Sequence, residues 1–529
     1  MNDTKEQLIP EYMRYKPYQR LGVLIGIMLG LILVAIDATI INVAIPTMMG
    51  NLGATMDQIT WVSIGYMLTN VIFLPMTGWL EARYGRRKLL VFSVITFTVT
   101  SFLCGTATSL GLLIFYRVLQ GVGGAALMST GMSTMLDVYP SEKAGIVSAV
   151  CGVGVMVGPA LGPIIGGYLV DNYSWPWIFY INVIPGIIAA IILWSLIKEP
   201  QTPGDTDKPI DISGIIWLSI WLGCLQILLE KGERQGWLES DFIKWLAILS
   251  VIGMILFIHR VLTTRYPIVN LRILRNKALS AGCVCSFITG VGLFSTMFVL
   301  PVFLQNLRGY TAQQSGVIML VWAISSTLSM MISGVLSTRI SARLLVTAGI
   351  ICCFISLYAL TKVTYLSGPE HIFLPQVFLG TGIGLLAAPL MTATLGGLTG
   401  NDLGDGSGLF NMVRQLGGTI GISLISTILT QRMKFHTTMI AEHVTIYNPE
   451  TLSRFNMLQH FFMGNGSPID TATQRALAVL NQSILGQSVL MSYNDLFLFI
   501  ALAFALALPF VFFLRDPKPD DSKVQVSMH

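Results

Sequence analysis

An acid placed inside an apolar run is the first group in this chain able to do chemistry. Asp37 lies in A-I-D-A-T-I-I-N-V-A-I-P, Ala35 to Pro46, with Thr39 and Asn42 close by, in a stretch that turns apolar near Leu21. It is the only acidic residue well inside any apolar span of the sequence. An ionisable group at that depth costs about 2.5–3.5 kcal/mol on insertion scales, so a membrane helix that keeps one usually has a task for it. A carboxyl there can take up and release a proton. Its natural counter-charge is Arg117, in R-V-L-Q-G-V-G-G-A-A, where Arg117, Gln120, Gly121 and Gly124 share one helical face. An arginine inside a span must face the interior and find a partner. At 1.5 Å per residue, Asp37 and Arg117 both fall roughly 10 Å below the same outer surface, which makes them candidates for one proton-coupling pair. The alternative for Arg117 is a purely structural tie between helices.

Other polar residues inside apolar stretches mark a path for a substrate: Asn42, Tyr66, Gln120 and Asn182 in the first half, Asn411 and Arg414 in the second. Asn411, Arg414, Gly418 and Gly421 share one face of N-M-V-R-Q-L-G-G-T-I-G, and the sequence offers no visible partner for Arg414. Gly78 to Lys88 reads G-W-L-E-A-R-Y-G-R-R-K. Its glycines, Gly78 and Gly85, permit a tight turn. Glu81, Arg83, Arg86 and Arg87 can form a charge cluster there that Asp137 completes: a conformational switch, or plain anchoring by positive charge. Gly154, Gly158, Gly162 and Gly166 recur at steps of four, with Pro159, Pro163 and Gly167 between them. Such a stripe lets another helix approach closely and slide or bend, and tight packing alone gives the same pattern.

The elements that must position these groups are membrane helices. The chain has 529 residues, of which 53% are hydrophobic and only 11% charged, against about 25% charged in soluble domains. Fourteen apolar stretches can each span a bilayer: 21–44, 59–80, 89–108, 110–136, 146–170, 177–197, 212–229, 242–262, 278–304, 314–336, 343–361, 372–398, 406–430 and 494–514. With the N-terminus in the cytoplasm, and with the span-end residues Lys244, Arg260 and Arg343 counted in the adjoining segments, the inside segments hold 21 Lys and Arg and the outside segments 9, while Arg117 and Arg414 lie well within spans. The bias places both termini inside. The expected layout is a cytoplasmic N-tail (1–20), a six-span bundle (21–197), a linker region (198–277) with two extra spans and a basic loop, a second six-span bundle (278–514), and a cytoplasmic C-tail (515–529). Six spans either side of a central pair suggests two bundles around a path. The first span is too long for a signal-peptide core and is read as uncleaved.

Gln431 to Tyr493 is the largest loop, placed outside. Leu452, Phe455, Leu458 and Phe461 recur at steps of three, and Leu477, Leu480, Ile484 and Leu485 follow a helical stripe. Two amphipathic helices are expected there, serving as a lid on the protein itself or as a docking surface for another protein. The seven cysteines fall in apolar stretches without a C-x-x-C pair, and no H-E-x-x-H occurs, so neither disulfides nor a metal site are expected. Gly380, Gly382 and Gly384 mimic a nucleotide loop without the strand such a loop needs. No cofactor and no nucleic-acid partner is expected.

Taken together, G-x-L-E-x-R-x-G-R-R-K, R-x-x-Q-G and G-x-x-x-G-P-x-x-G-P-x-x-G-G resemble the motifs of the major facilitator superfamily. The Asp37 stretch, W-x-W-I-F-x-I-N at Trp175 to Asn182 and fourteen spans are similar to its drug:proton antiporter branch. L-Q-I-L-L-E-K-G at 225–232, P-I-V-N-L-R at 267–272 and the long last loop resemble EmrB-type multidrug exporters. The family pattern carries Asp where Glu81 stands, which puts its charge-relay role in question. The resemblance implies export of hydrophobic or amphipathic compounds driven by inward proton flow, from the bacterial inner membrane, with a periplasmic adaptor and an outer-membrane channel. It maps the proton-linked acid and its arginine onto Asp37 and Arg117. Within the same fold, an exporter of an endogenous metabolite such as a fatty acid or siderophore fits as well. A non-transporting membrane receptor would have no need of the buried Asp37 and Arg117, and no nucleophile or paired carboxylates point to an enzyme.

Overall fold

A computed structural model describes residues 11–140, 143–198, 211–264, 267–307, 309–310, 312–337, 339–364, 367–368, 370–398, 401–445 and 447–514. The first half of the N-tail, the linker 199–210 and the C-tail 515–529 lie outside these residues. The order is α1 (Pro17–Leu52), α2 (Met56–Ile59), α3 (Trp61–Phe73), α4 (Thr77–Tyr84), α5 (Arg86–Gly105), α6 (Leu110–Val138), α7 (Ala144–Asn172), α8 (Trp177–Tyr180) and α9 (Val183–Leu196). A central pair follows, α10 (Ile212–Lys231) and α11 (Asp241–Thr263). Then come α12 (Lys277–Asn306), α13 (Ala312–Leu336), α14 (Ala342–Leu360), α15 (Glu370–Leu395), α16 (Asn401–His443), α17 (Pro449–Gly464), α18 (Ile469–Ala505) and α19 (Leu508–Val511). Twelve helices among the described residues are long and apolar enough to cross a membrane. Of the fourteen expected spans, the second is built from α3, the turn Leu74–Met76 and α4, and the fifth is α7. The fold is all-helical, as expected, because only helices satisfy every backbone polar group inside lipid without a closed barrel.

Helices α1 to α9 pack together, as do α12 to α19. The outward faces are apolar: Ile184, Ile187, Ile188, Ile191 and Trp194 of α9 are exposed, as a lipid-facing surface requires. The two halves meet mainly through α7 against α13. At one end of the bundles, the start of α16 packs on α4 and on Leu74–Met76. A Cβ on Gly78 would lie 2.8 Å from the Asp405 carboxylate and 3.1 Å from the Asp405 backbone nitrogen, so only glycine lets α4 and α16 close this tightly. Gly85, between α4 and α5, has φ 86°, a conformation costly to any residue with a side chain.

The central pair is fastened at both ends. Asp211 caps α10 by accepting from the Gly214 amide at 3.1 Å and takes the Arg260 guanidinium of α11 at 2.9 Å. At the opposite end Glu233 accepts hydroxyls from Ser426 (2.7 Å) and Thr430 (2.6 Å) of α16, and the Trp237 indole donates to Thr427 at 3.1 Å. Lys231 meanwhile lies 4.8 Å over the Trp61 ring of α3, so the pair touches both halves.

The expected outer loop 431–493 is corrected. α16 runs unbroken through His443 and α18 starts at Ile469, so only α17 stands apart. α16 alone has 43 residues, about 65 Å of helix against a hydrocarbon core of about 30 Å. Polar residues such as Gln431, Arg432 and Lys434 end the apolar run, yet no Pro or Gly falls between Gln431 and His443 to end the helix. The projecting hairpin is tied at its base: His436 Nε2 and Asp495 Oδ2 are 2.8 Å apart, Arg432 lies 3.6 Å from the same oxygen, and Thr437 donates to Ser488 at 2.9 Å. α17 packs on α18, where Ala472 and Ala476 are buried and Gln459 donates to Thr473 at 2.8 Å.

Candidate functional site

Asp37 sits midway along α1 and is completely buried. Ile36, Ile40, Phe179 and Ile178 belong to the apolar cluster that closes over it. Its Oδ2 accepts from Arg117 Nη1 of α6 at 2.6 Å. Its Oδ1 accepts from Gln120 Nε2 at 3.1 Å and from Asn182 Nδ2, at the α8–α9 junction, at 3.3 Å. Asn182 also donates to Ser101 of α5 at 3.1 Å. Arg117 donates in addition to Gln120 Oε1 at 2.7 Å and to the Val62 carbonyl of α3 at 3.2 Å. Its guanidinium carbon lies 4.3 Å from the Tyr66 ring centroid. One carboxylate and one guanidinium therefore join α1, α3, α5, α6 and the α8–α9 junction in a sealed network. Charge-assisted bonds of this length are the strong kind, and a buried pair holds only while both partners keep them.

Of the residues expected along the substrate path, Gln120 and Asn182 are wholly buried and bonded to Asp37. Tyr66 stacks on Arg117, whereas Asn42 is exposed and joins no part of this cluster. In the second half, Asn411 donates to the Ser407 carbonyl at 3.0 Å and accepts from Arg414 Nη2 at 3.0 Å. Asn411 is thus the partner of Arg414 that the sequence analysis left unassigned. Arg414 lines a cavity between α6, α12, α13, α15, α16 and α18, together with Met132, Thr289, Leu293 and Phe410.

The glycine stripe of α7 lies along α1, on the side away from Arg117. A Cβ on Gly158 would collide with Ala35 and the Ile36 backbone, one on Gly162 with Thr39, and one on Gly166 would come within 2.8 Å of Ile40 Cγ1. Gly154 faces Met28, while Gly167 has only Val43 at 4.0 Å. Pro159 continues the same helix. Thr39 donates to the Ile36 carbonyl at 3.2 Å and reaches the Gly158 carbonyl at 3.5 Å. The helix that carries Asp37 is therefore pressed on α7, and α7 is pressed on the other half.

In the charge cluster of the α4–α5 turn Arg86 is the hub. Its Nε lies 2.6 Å from Glu81 and its Nη2 2.6 Å from Asp137 of α6, and Ser133 donates to Glu81 at 3.3 Å. Glu81 thus reaches the arginine despite its extra methylene. Arg87 stacks on Trp194 of α9 at 4.5 Å and Arg83 lies 5.8 Å over Trp79. Sequence reasoning passed over Glu233 and the His436–Asp495 contact. Ser423, Ser426, Thr427 and Thr430 form a hydroxyl stripe at helical spacing on α16, and Arg432 and His436 are four apart on it; these were the available signals.

A family model described as Major Facilitator Superfamily matches residues 27–422. The chain belongs to the major facilitator superfamily. Members of this family are membrane transporters. The multidrug export protein EmrB of Haemophilus influenzae is 34% identical over 486 residues, 91% of this chain and 93% of that protein. The EmrB of Escherichia coli is 33% identical, covering 93% and 95%. The fatty acid resistance protein FarB of Neisseria gonorrhoeae is 31% identical, covering 91% and 93%. Among solved structures, the proton:xylose symporter XylE bound to 6-bromo-6-deoxy-D-glucose has the same fold at 12% identity, with a TM-score of 0.57 over 92% of this chain and 95% of that one. A bacterial homologue of the human lysosomal transporter Spinster, inward-facing and occupied, gives 0.53 at 16% identity over 94% and 97%.

Proposed function

We propose that this superfamily member is a proton-driven antiporter that exports hydrophobic or amphipathic toxic compounds from the bacterial inner membrane. The Asp37–Arg117 network carries the reading, because an ionisable pair kept inside a membrane bundle is costly and marks a proton or ion path more often than a structural tie. Protonating Asp37 removes its charge and frees Arg117, which still has Gln120, the Val62 carbonyl and the Tyr66 face. α1 can then shift along the glycine stripe of α7, and α7 passes that shift to α13. The inner closure at Gly78 is the other end of the same movement, so alternating access links the proton site to the gate. Both termini are cytoplasmic in this scheme. The test is transport in proteoliposomes under an imposed pH gradient with a panel of amphipathic compounds. Substrate accumulation that tracks the gradient and collapses with it supports the reading; export indifferent to the gradient removes it.

The inner charge cluster holds the outward-facing state in this reading. Arg86→Ala breaks both of its ion pairs and is expected to shift the population, not to destroy the site. Spin labels at Asn51 and Gln305, exposed at the outer ends of α1 and α12, report it. Their distance distribution is expected to move toward shorter separations in the variant; an unchanged distribution at both high and low pH counts against the role.

The projecting hairpin docks a periplasmic adaptor that hands substrate to an outer-membrane channel. Leu452 and Phe461 of α17 and Leu477 and Leu485 of α18 are exposed outside the spans, where a lid would bury them against the transporter. Photo-crosslinkers at Leu452, Phe461 and Leu477 are expected to capture a second polypeptide in cells that contain the adaptor. Crosslinks confined to this chain in such cells would make the hairpin a lid.

A further inference from the structure

Two sequence motifs have no task in the mechanism above: L-Q-I-L-L-E-K-G at 225–232 and P-I-V-N-L-R at 267–272. Both border the central pair, and both fasten it to the same half. The pair itself is one piece. Asp211 takes Arg260 at 2.9 Å, Ser250 donates to the Trp221 carbonyl at 3.2 Å, and a Cβ on Gly253 would lie 2.8 Å from the Trp221 nitrogen. The backbones of α10 and α11 are therefore in contact, and close-packed backbone transmits displacement instead of absorbing it.

Where the first motif ends, the chain turns in a shape that fits α16. Gly236 has φ 71° and Trp237 φ 54°; among the described residues Trp237 is the one non-glycine residue with a positive φ. Such a backbone is costly and persists only where the surroundings hold it. Here α16 holds it. The Trp237 indole donates to Thr427 at 3.1 Å, Ser426 and Thr430 donate to the two Glu233 carboxylate oxygens at 2.7 and 2.6 Å, and Ser423 donates to the Leu229 carbonyl at 2.8 Å. Every member of the hydroxyl stripe on α16 is used by this turn. At the other end of the pair the second motif does similar work. Arg272 donates to the Leu262 and Thr264 carbonyls at 3.1 Å each and so closes the end of α11. Ile268 and Val269 are buried, and the turn Leu271–Arg275 packs on both α11 and α12.

Against the first half the pair is held in another way. α10 lies on α3 through apolar groups: a Cβ on Gly223 would meet only the tips of Leu68 and Ile72, at 3.6 and 3.9 Å. Lys231 lies 4.8 Å over the Trp61 ring. Hydrogen bonds are directional and fix a register, whereas apolar contact and cation–ring attraction tolerate a range of positions.

Resting on the antiporter reading, under which the halves rock, we propose that α10 and α11 are a rigid extension of the second half, that Glu233 is the positioning residue that seats them on α16, and that α10 slides over α3 in each cycle. The central pair is then no third body between two bundles. The moving parts are α1–α9 and α10–α19, and the contact of Lys231 with Trp61 is remade each time the halves rock.

Spin labels at Leu238 in the turn, Asn51 on α1 and Gln305 on α12, all exposed, report three distances in the purified full-length protein. They are measured at high and low pH, in wild type and in Arg86→Ala. The Leu238–Asn51 distance is expected to change together with Asn51–Gln305, while Leu238–Gln305 keeps one narrow maximum. Glu233→Ala is expected to broaden Leu238–Gln305 and to leave Asn51–Gln305 as in wild type. Glu233→Gln, which keeps one accepting oxygen, is expected to fall between. A fixed Leu238–Asn51 distance with a changing Leu238–Gln305 distance would assign the pair to the first half, and change in both would make it a third body; either overturns the proposal. A Leu238–Gln305 distribution as narrow in Glu233→Ala as in wild type would remove Glu233 from the seat. Wild type alone decides which half carries the pair, and Glu233→Gln decides the seat should Glu233→Ala fail to fold. An Asn51–Gln305 distance that is the same under every condition would break the antiporter reading, and the broadening in Glu233→Ala would still decide the seat.

Discussion

Asp37→Asn is expected to abolish uphill export while substrate binding survives. The substitution keeps the size of the side chain, removes the charge and the titration, and turns one of the two acceptor oxygens into an NH2 donor. Its amide oxygen can still accept from Gln120 or Asn182, so the apolar cluster of Ile36, Ile40 and Phe179 keeps its packing. The cost falls on Arg117, which becomes a buried cation without an anion; removing one partner of a buried pair costs about 3–5 kcal/mol where nothing replaces it. Here part is replaced, since Arg117 keeps Gln120 Oε1, the Val62 carbonyl and the Tyr66 ring. A variant that reaches the membrane with a lowered Tm is the expected result, and Asp37→Asn combined with Arg117→Gln should recover most of that Tm. Neither is expected to drive substrate against its gradient in proteoliposomes. Gradient-driven transport by Asp37→Asn at the wild-type rate would remove Asp37 from the proton path. Loss of substrate binding in both variants would place the network in the substrate site instead.

The pairing of Asp37 with Arg117 was legible in the sequence, because two intramembrane charges of opposite sign at equal depth have few other partners and the helical rise is fixed. The donors around Asp37 were not. Gln120 and Asn182 were recognisable as buried polar groups, but which face of α6 or of the α8–α9 junction meets α1 depends on helix rotation, and apolar runs this uniform carry almost no phase. Arg86 was visible as one charge among four; only packing decided that Glu81 and Asp137 take it while Arg87 turns to Trp194. In the hairpin both expected stretches, 452–461 and 477–485, are helical, and only the ends of the flanking helices were misplaced. Hydropathy reports the solvent a segment prefers, and α16 and α18 leave the membrane without ceasing to be helices. Asn411 escaped notice as the Arg414 partner although the two are three apart on one helix, a spacing that places side chains together.

Gly158→Leu and Gly162→Leu are expected to stop turnover with substrate binding partly retained. At Gly158 the added side chain meets not a flexible tip but the α1 backbone, with the Ile36 nitrogen 2.8 Å from the first added carbon. At Gly162 it meets Thr39 and, at 3.1 Å, the Ile40 nitrogen. Backbone cannot rotate away, so α1 must be pushed off α7. Overpacking of this kind costs about 1–3 kcal/mol, and in a moving contact it also fixes one register. The displaced segment is Ala35 to Ile40, which holds Asp37, so the Asp37–Arg117 network and the half-to-half contact through α13 are disturbed by one substitution. Gly167→Ala supplies the control: its Cβ meets only Val43, at 4.0 Å, and the variant is expected to transport normally. The measurement is gradient-driven uptake beside substrate Kd for all three variants. Normal turnover in both leucine variants would make the stripe a static packing surface, and failure of Gly167→Ala alongside them would show that α7 tolerates no added bulk, wherever it points.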